Sequence, residues 1–187
     1  DDAAERLAEA IAEKGGLIPY LKARHQLRVR RLPGDVLMGS VRRLDRHREE
    51  VLLDEALDHA SASFQLALQI IYLEARRTIE NVLDEGRFES ENAQRLTRRA
   101  LANYMAAAVL MPYTAFARAG EQRRYDIELL GRLYRTSFEQ IAHRITTLQK
   151  PGQEGVPFFF LRVDQAGNVS KRLDGAGFPF ARHGGGC

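Results

Sequence analysis

Leu68, Gln69 and Tyr72 stand at positions i, i+1 and i+4 of a predicted helix, the spacing at which a His-Glu-x-x-His helix holds zinc. A catalytic zinc requires imidazole or carboxylate ligands and a general base beside its water. Leu68 has no lone pair to offer a metal, and Gln69 does not accept a proton at neutral pH. We therefore expect no zinc here and no metal-assisted hydrolysis. Taken alone, the same residues also fit an ordinary core helix.

The composition is that of a folded chain, because 187 residues with 44% hydrophobic content can bury a core. No apolar run approaches the roughly 18 residues needed to cross a bilayer. The chain opens with Asp1 and Asp2 rather than with a basic, apolar leader. We expect a cytoplasmic protein without membrane contact.

A single cysteine, Cys187, excludes an intrachain disulfide framework and cannot by itself build a metal or iron–sulfur site. It follows three glycines at the end of the sequence, and we interpret the chain as a fragment. The net charge is +3, and arginine supplies most of the 28 basic residues. Arginine favours phosphate and carboxylate ligands. Its spread along the chain permits an anionic ligand but forms no nucleic-acid-binding tract.

Periodicity and turn residues predict an α+β fold, with a small antiparallel sheet, a helical bundle and a β-rich C-terminal appendage. The predicted strands are 27–32, 37–44, 50–53, 156–163 and 169–173. The predicted helices are 3–13, 61–85, 91–111, 113–122, 126–134 and 137–148, with 17–23 helical or irregular. Ser90 is the expected N-cap of the helix from 91. The expected inner face of that helix comprises Leu96, Ala100, Asn103, Ala107 and Leu110.

Two segments carry a family resemblance. Residues 101–112, Leu-Ala-Asn-Tyr-Met-Ala-Ala-Ala-Val-Leu-Met-Pro, resemble the Glu-Ala-Asn-x-Phe-Ala…Leu-Met-Pro segment of ImmA/IrrE-type zinc-peptidase domains, with Leu101 in place of the acidic residue. Residues 155–172, followed by Gly-Gly-Gly-Cys at 184–187, resemble the C-terminal signature of the short-chain fatty acyl-CoA regulators. That bacterial group includes regulators of propionate, methylcitrate and glyoxylate metabolism.

The resemblance implies three parts: an N-terminal helical linker at 1–26, a degenerate peptidase-like domain at 27–150 and a truncated C-terminal ligand-binding segment at 151–187. It further implies a homodimeric transcription regulator whose XRE-type helix-turn-helix domain, the part that contacts DNA, is missing from this chain. Family members carry further cysteines beyond the position of Cys187. Whether an iron–sulfur cluster forms is therefore left open.

The effector implied by the resemblance is a short-chain acyl-CoA, either propionyl-CoA or acetyl-CoA. Apolar replacement of metal ligands would turn a polar cleft into a pocket for the acyl chain, and the CoA phosphates require cationic or N–H donors. The predicted ligand-binding residues are Leu68, Tyr72, Leu101, Tyr104, Phe158, Phe160, Arg162, Asn168, Ser170, Lys171, Arg172 and Arg43.

Each of these residues also has a structural interpretation. Phe158 and Phe160 fit sheet packing, Arg162 and Lys171 fit solvent-facing strand positions, and a tyrosine hydroxyl fits a bond to the backbone. At the level of function, the alternatives are a zinc peptidase with unusual ligands and a ligand-free dimerisation module. A CoA-dependent acyltransferase fits less well, because no Cys/His or Ser/His/Asp arrangement is apparent.

Overall fold

The structure is a computed structural model that describes residues 1–175 and 177, so Cys187 and the glycines before it lie outside the described residues. The chain forms two compact units. The N-terminal unit comprises Asp1–Tyr113 and Tyr134–Ser137. The C-terminal unit comprises Thr114–Leu133 and the described residues from Phe138 onward. Helices and small sheets together make an α+β fold, which confirms the predicted class.

The N-terminal unit combines helices with a mixed sheet. Its helices are α1 (Asp2–Glu13), α2 (Leu17–His25), α3 (His59–Glu74), α4 (Arg76–Asp84) and α5 (Glu91–Leu110), and its strands are β1 (Arg28–Leu32), β2 (Arg42–Asp45) and β3 (Glu50–Asp54). The sheet order is β1-β3-β2. In the core, α3 packs on α5, and α3 contributes an unbroken buried run from Leu66 to Ile71.

The prediction of a purely antiparallel sheet is wrong. Strand β2 pairs antiparallel with β3, but β1 pairs parallel with β3, so that Arg28 lies opposite Glu50. The central position of β3 follows from its apolar run Val51–Leu53, which is buried, whereas the arginine-rich β1 occupies an edge. The predicted strand 37–44 also begins late, at Arg42, because residues 34–39 form turns around the buried Leu37.

The predicted single helix over 61–85 is two helices. Ala75, with φ −98° and ψ 10°, interrupts the chain between α3 and α4. The apolar period continues across the break, and Ile79 and Leu83 of α4 are buried in the same core as α3. Tertiary packing therefore overrides the local preference for one continuous helix.

Helix α5 begins as predicted, because the Ser90 hydroxyl oxygen accepts a hydrogen bond of 3.1 Å from the backbone N–H of Ala93. Its predicted inner face is wrong. Leu96 is 59% exposed, and the buried residues are Ala102, Ala106, Ala108 and Val109. Alanines let α5 approach α3 closely, while Leu101 and Leu110 are partly buried at the edge of the same core.

The C-terminal unit continues from α6 (Tyr113–Gln122) through α7 (Ile127–Tyr134) and α8 (Phe138–Ile145) to an antiparallel hairpin of β4 (Phe159–Val163) and β5 (Val169–Asp174). The predicted helices and the β-rich appendage are confirmed. The turn is closed by Asp164, whose Oδ1 accepts hydrogen bonds from the backbone N–H groups of Ala166 and Asn168. Among the described residues no single helix has the length and apolarity to cross a membrane, although α5 and α6 together, bent at their junction, meet those criteria.

Candidate functional site

The C-terminal half of α3 carries the residues at the zinc-ligand spacing. The helix begins at Asp58, whose Oδ1 accepts a 2.7 Å hydrogen bond from the N–H of Ser61. Leu68 and Gln69 are 7% and 5% exposed and belong to the interior. Tyr72, by contrast, is 44% exposed. Of the three positions, therefore, only Tyr72 presents its side chain to a ligand.

Arg42 of β2 lies against Tyr72. Its Cζ is 5.3 Å from the centroid of the Tyr72 ring, a cation–π distance. Its Nη1 donates a 2.9 Å hydrogen bond to the carbonyl oxygen of Gln65. Burial lowers the pKa of the Arg42 guanidinium, which still remains charged at neutral pH. A fixed positive charge therefore stands beside the residue in the second-histidine position.

The sequence interpretation chose Arg43 and missed Arg42. Side chains alternate along a strand, and Arg42 shares a face with Leu44, which packs on the core. Arg43 is exposed on the opposite face, beside Leu52 of β3 in the register. The period-2 pattern of β2 was the signal that could have identified Arg42.

A cleft of about 450 Å³ opens beside Tyr72 at the junction of α3 and α4. The residues that line it are Ile71, Tyr72, Arg76, Ile79, Glu80 and Arg98. Arg98 donates to Glu80 through Nε at 2.8 Å and Nη2 at 2.9 Å. The hydrogen bond from Arg98 lowers the pKa of Glu80 below its ordinary value, so the carboxylate is ionised at neutral pH. The cleft thus combines apolar side chains with two guanidinium groups and one carboxylate, which leaves a net positive charge from Arg76.

These residues do not fit a zinc ion. Leu68 lacks a donor atom, Gln69 is buried without a titratable group, and the ring of Tyr72 is paired with a cation. Within residues 1–175 and 177, no group of three or more His, Cys, Asp or Glu side chains is arranged to hold a metal. The arrangement is chemically suited instead to an anionic ligand that carries an apolar portion.

Leu101 and Tyr104 line a second, smaller cavity of about 120 Å³ in the N-terminal unit. The Tyr104 hydroxyl hydrogen-bonds to both carboxylate oxygens of Asp1 at 2.8 Å. Ile79 lines both cavities. The structure therefore brings Tyr72 to one cavity and Leu101 with Tyr104 to another.

The remaining predicted site residues all lie in the C-terminal unit. Phe158 packs its ring 5.0 Å from that of Tyr125, and Phe160 packs edge-on to His143 at 4.8 Å. Asn168 hydrogen-bonds to Asp164 in the hairpin turn. The rings of Phe158 and Phe160 thus contact aromatic residues of their own unit, and their contact with a ligand stays a prediction.

Glu139 of α8 forms ion pairs with two basic side chains of the hairpin. Arg162 Nη1 and Lys171 Nζ each lie 3.2 Å from Glu139 Oε1, and Arg162 Nε donates to the Ser170 hydroxyl at 2.8 Å. Burial raises the pKa of Glu139, but the hydrogen bond from Lys171 and the surrounding charges outweigh it, and the net shift is downward. Arg172 lies opposite Leu161, on the other face of the hairpin from Lys171.

His143 adjoins this cluster. Its buried Nε2 lies 3.3 Å from Glu139 Oε1 but without hydrogen-bond geometry, and its Nδ1 is 3.4 Å from Lys171 Nζ. Burial, followed by the charge of Lys171, lowers the pKa of His143. The imidazole is therefore neutral at physiological pH.

Residues 22–146, more than half of the chain, match the model of the IrrE N-terminal-like domain. The chain belongs to this family. Residues 147–187 match a second model, that of the short-chain fatty acyl coenzyme A regulator, C-terminal. Both resemblances stated from the sequence are thereby confirmed.

Relatives of this IrrE-like chain include three described by name as regulators. It is 38% identical over 187 residues to the propionyl-CoA carboxylase regulator of Cereibacter sphaeroides, covering 100% of this chain and 41% of that protein. It is 47% identical over 124 residues to the HTH-type transcriptional regulator RamB of Mycobacterium tuberculosis, covering 66% of this chain and 26% of RamB. The corresponding values for the HTH-type transcriptional regulator PrpR of Mycobacterium tuberculosis are 46% over 125 residues, 67% and 26%.

A solved structure has the same fold. The IrrE-like chain superposes on a Mycobacterium tuberculosis transcriptional regulator with a TM-score of 0.88 and 36% identity, over 99% of this chain and 57% of the other. The chain thus spans less than half the length of the curated relatives it matches.

Proposed function

We propose that this chain is the effector-sensing part of a transcription regulator, and that its effector is a short-chain acyl-CoA, either propionyl-CoA or acetyl-CoA. The observation that carries the proposal is the cleft beside Tyr72. A zinc-ligand position has become part of an open, arginine-lined cavity. The match of residues 147–187 to the short-chain fatty acyl-CoA regulator model supports this ligand class, as does the similarity to a propionyl-CoA carboxylase regulator.

The chemistry of the cleft suits the two ends of an acyl-CoA. The ring of Tyr72, which is 44% exposed, offers apolar surface to a short acyl chain or to the pantetheine arm, above the buried Ile71 and Ile79. Arg76 is exposed at the cleft and can pair with a phosphate in the bidentate manner that arginine favours. A volume of about 450 Å³ lies in the usual range of small-molecule pockets.

The effector acts on the regulator through a difference in its affinity for two conformations. A ligand shifts a conformational equilibrium only by the difference in its affinity for the two states. We propose that the chain acts in the cytoplasm as a homodimer, and that DNA is contacted by a helix-turn-helix domain outside this chain. On this proposal Arg162, Asn168, Ser170, Lys171 and Arg172 remain candidates for CoA contacts made by the C-terminal unit.

We propose no enzymatic activity for the chain. The IrrE-like family is related to zinc peptidases, but Leu68 and Gln69 supply neither a metal ligand nor a general base. An unusual metal site and a ligand-free dimerisation module are the competing functions.

The test is calorimetric titration of the purified chain with propionyl-CoA, acetyl-CoA and free CoA, alongside measurement of bound zinc. The proposal predicts saturable one-to-one binding of an acyl-CoA and less than stoichiometric zinc. Stoichiometric zinc with no acyl-CoA binding would favour the peptidase. Binding of neither would favour the dimerisation module.

A further inference from the structure

A three-residue contact joins α2 to the end of α3, which we call the Glu74 contact. The Tyr20 hydroxyl lies 2.9 Å and 3.0 Å from the two carboxylate oxygens of Glu74. His25 Nε2 lies 2.6 Å from Glu74 Oε1. Tyr20 is 5% exposed, and burial together with the hydrogen bond to Glu74 raises its pKa to about 12. The phenol therefore remains a protonated donor at physiological pH.

Glu74 belongs to the same helical turn as the wall of the cleft. Ile71 and Tyr72 precede it, Arg76 follows it, and all three line the cavity beside Tyr72. The next residue, Ala75, is the break between α3 and α4. Movement of this turn would therefore alter the cleft and the Glu74 contact together.

The break at Ala75 lacks the residues that normally cause one. Sharp kinks in helices are found at proline, at glycine and serine pairs or at helical bulges, and residues 71–79 contain no proline, glycine or serine. Ala75 is a strong helix former, and its N–H still donates a 2.8 Å hydrogen bond to the carbonyl oxygen of Ile71. The interruption at Ala75 is thus imposed by packing, and a continuous helix is locally compatible with the sequence. A conflict of this kind between local and tertiary preference is characteristic of functional elements.

We propose that the Glu74 contact couples occupancy of the cleft to the position of α2. Through α2, the effector signal would reach the residues that precede the IrrE-like domain at 22–146. The inference rests on the proposed function, which supplies the ligand of the cleft. Two sites that bias one shared element are thermodynamically coupled, and the coupling is reciprocal.

The sign of the coupling follows from the arrangement observed. The cleft is open while the Glu74 contact is formed, so a ligand that enters the cleft stabilises the interrupted junction and the contact together. Removing the contact lowers the population of the binding-competent junction and weakens the apparent affinity by the same factor. We expect about a fivefold loss of affinity in Tyr20→Phe, at the lower end of usual allosteric couplings.

The first arm of the test needs no ligand. Hydrogen exchange of the Ala75 and Ile79 amides, which bond to the carbonyl oxygens of Ile71 and Ala75 at 2.8 Å and 3.0 Å, reports on the junction. Tyr20→Phe and Glu74→Gln should each accelerate exchange at both amides by about tenfold. The control is Tyr125→Phe, which removes a tyrosine hydroxyl that accepts from Val156 N in the C-terminal unit. Faster exchange confined to α2, with Ala75 and Ile79 unchanged, would overturn the coupling.

The second arm titrates the same variants with propionyl-CoA. The expected result is a weakened affinity in Tyr20→Phe and a wild-type affinity in Tyr125→Phe. If the wild type fails to bind propionyl-CoA while the junction amides still respond to Tyr20→Phe, the effector assignment is wrong and the link between the junction and α2 stands. If propionyl-CoA binds the wild type and Tyr20→Phe equally, and the junction amides do not respond, the coupling is wrong and the effector stands.

Discussion

The guanidinium of Arg42 lies 5.3 Å from the centre of the Tyr72 ring, so a positive charge lies beside the residue at the second zinc-ligand position. The ring in turn lines the cleft at the α3–α4 junction. The position that carries a zinc ligand in a His-Glu-x-x-His helix here presents an aromatic ring beside a positive charge. This relationship links the second zinc-ligand position to the cleft that we propose as the effector site.

Arg42→Ala should weaken propionyl-CoA binding by roughly 3- to 30-fold, the range expected for loss of a partly buried cation–π contact that orients Tyr72. Arg42→Lys, which keeps the charge, should recover part of the affinity. Isothermal titration calorimetry measures both. The matched control is Arg31→Ala, since Arg31 also donates a 2.9 Å hydrogen bond to a backbone carbonyl, that of Leu57. Equal losses in Arg42→Ala and Arg31→Ala would show that Arg42 has no specific role.

In the C-terminal unit, Lys171→Ala or Arg172→Ala, which change opposite faces of the hairpin, should weaken free CoA as much as propionyl-CoA, because the phosphates are common to both ligands. Lys171 shares the carboxylate of Glu139 with Arg162, so a phosphate must compete with that carboxylate. Glu139→Gln should consequently strengthen both ligands severalfold. Competition binding with the two ligands decides this. Weaker binding of propionyl-CoA alone would instead indicate that these residues contact the acyl chain.

The packing of α5 gives a stability prediction. Ala106 is fully buried and Leu96 is 59% exposed. Ala106→Leu should overpack the α3–α5 contact and destabilise the fold by about 1–3 kcal/mol. Leu96→Ala should change the free energy of unfolding by no more than about 0.5 kcal/mol. Urea denaturation followed by circular dichroism compares them, and a larger loss in Leu96→Ala would restore the inner face that the sequence predicted, which includes Leu96.

His143 predicts a pH dependence of stability. Its pKa is lowered in the folded state by burial and by Lys171, so below its ordinary pKa of 6.5 the unfolded chain binds more protons than the folded one. Its contribution is fully present above pH 6.5 and is lost as the pH falls toward the lower, folded-state pKa. Urea denaturation at pH 7.5 and pH 5.5 should show a smaller loss in His143→Gln than in the wild type. Glu139, Arg162 and Lys171 are unchanged in that comparison, so identical losses would contradict the assignment.

The sequence was sufficient for those features that depend on local signals. The Ser90 cap, the hairpin turn closed by Asp164 and the end of α5 before Pro112 all follow from residues within a few positions of one another. The break at Ala75 and the alanine face of α5 do not, because both are decided by packing partners far away in the chain. The parallel pairing of β1 with β3 likewise depends on which strand can be buried on both faces.

The candidate site shows the same division. Tyr72 could be identified from spacing and family resemblance, and Arg42 from the alternation along β2. The Glu74 contact could not, because Tyr20 and His25 lie 54 and 49 residues from Glu74 in the sequence, and no local pattern pairs them. Leu68 was expected to line the pocket, but the structure places it among the core residues.

The measurement that tests the central claim most directly is native mass spectrometry of the chain mixed with propionyl-CoA, for the wild type, Arg76→Ala and Arg77→Ala. Arg76 lines the cleft and Arg77, its neighbour in α4, is not among the lining residues. The account predicts a one-to-one complex for the wild type and Arg77→Ala, and its loss or strong reduction for Arg76→Ala. Equal complex formation by the two variants, or no complex with the wild type, would contradict the assignment of this cleft as the acyl-CoA site.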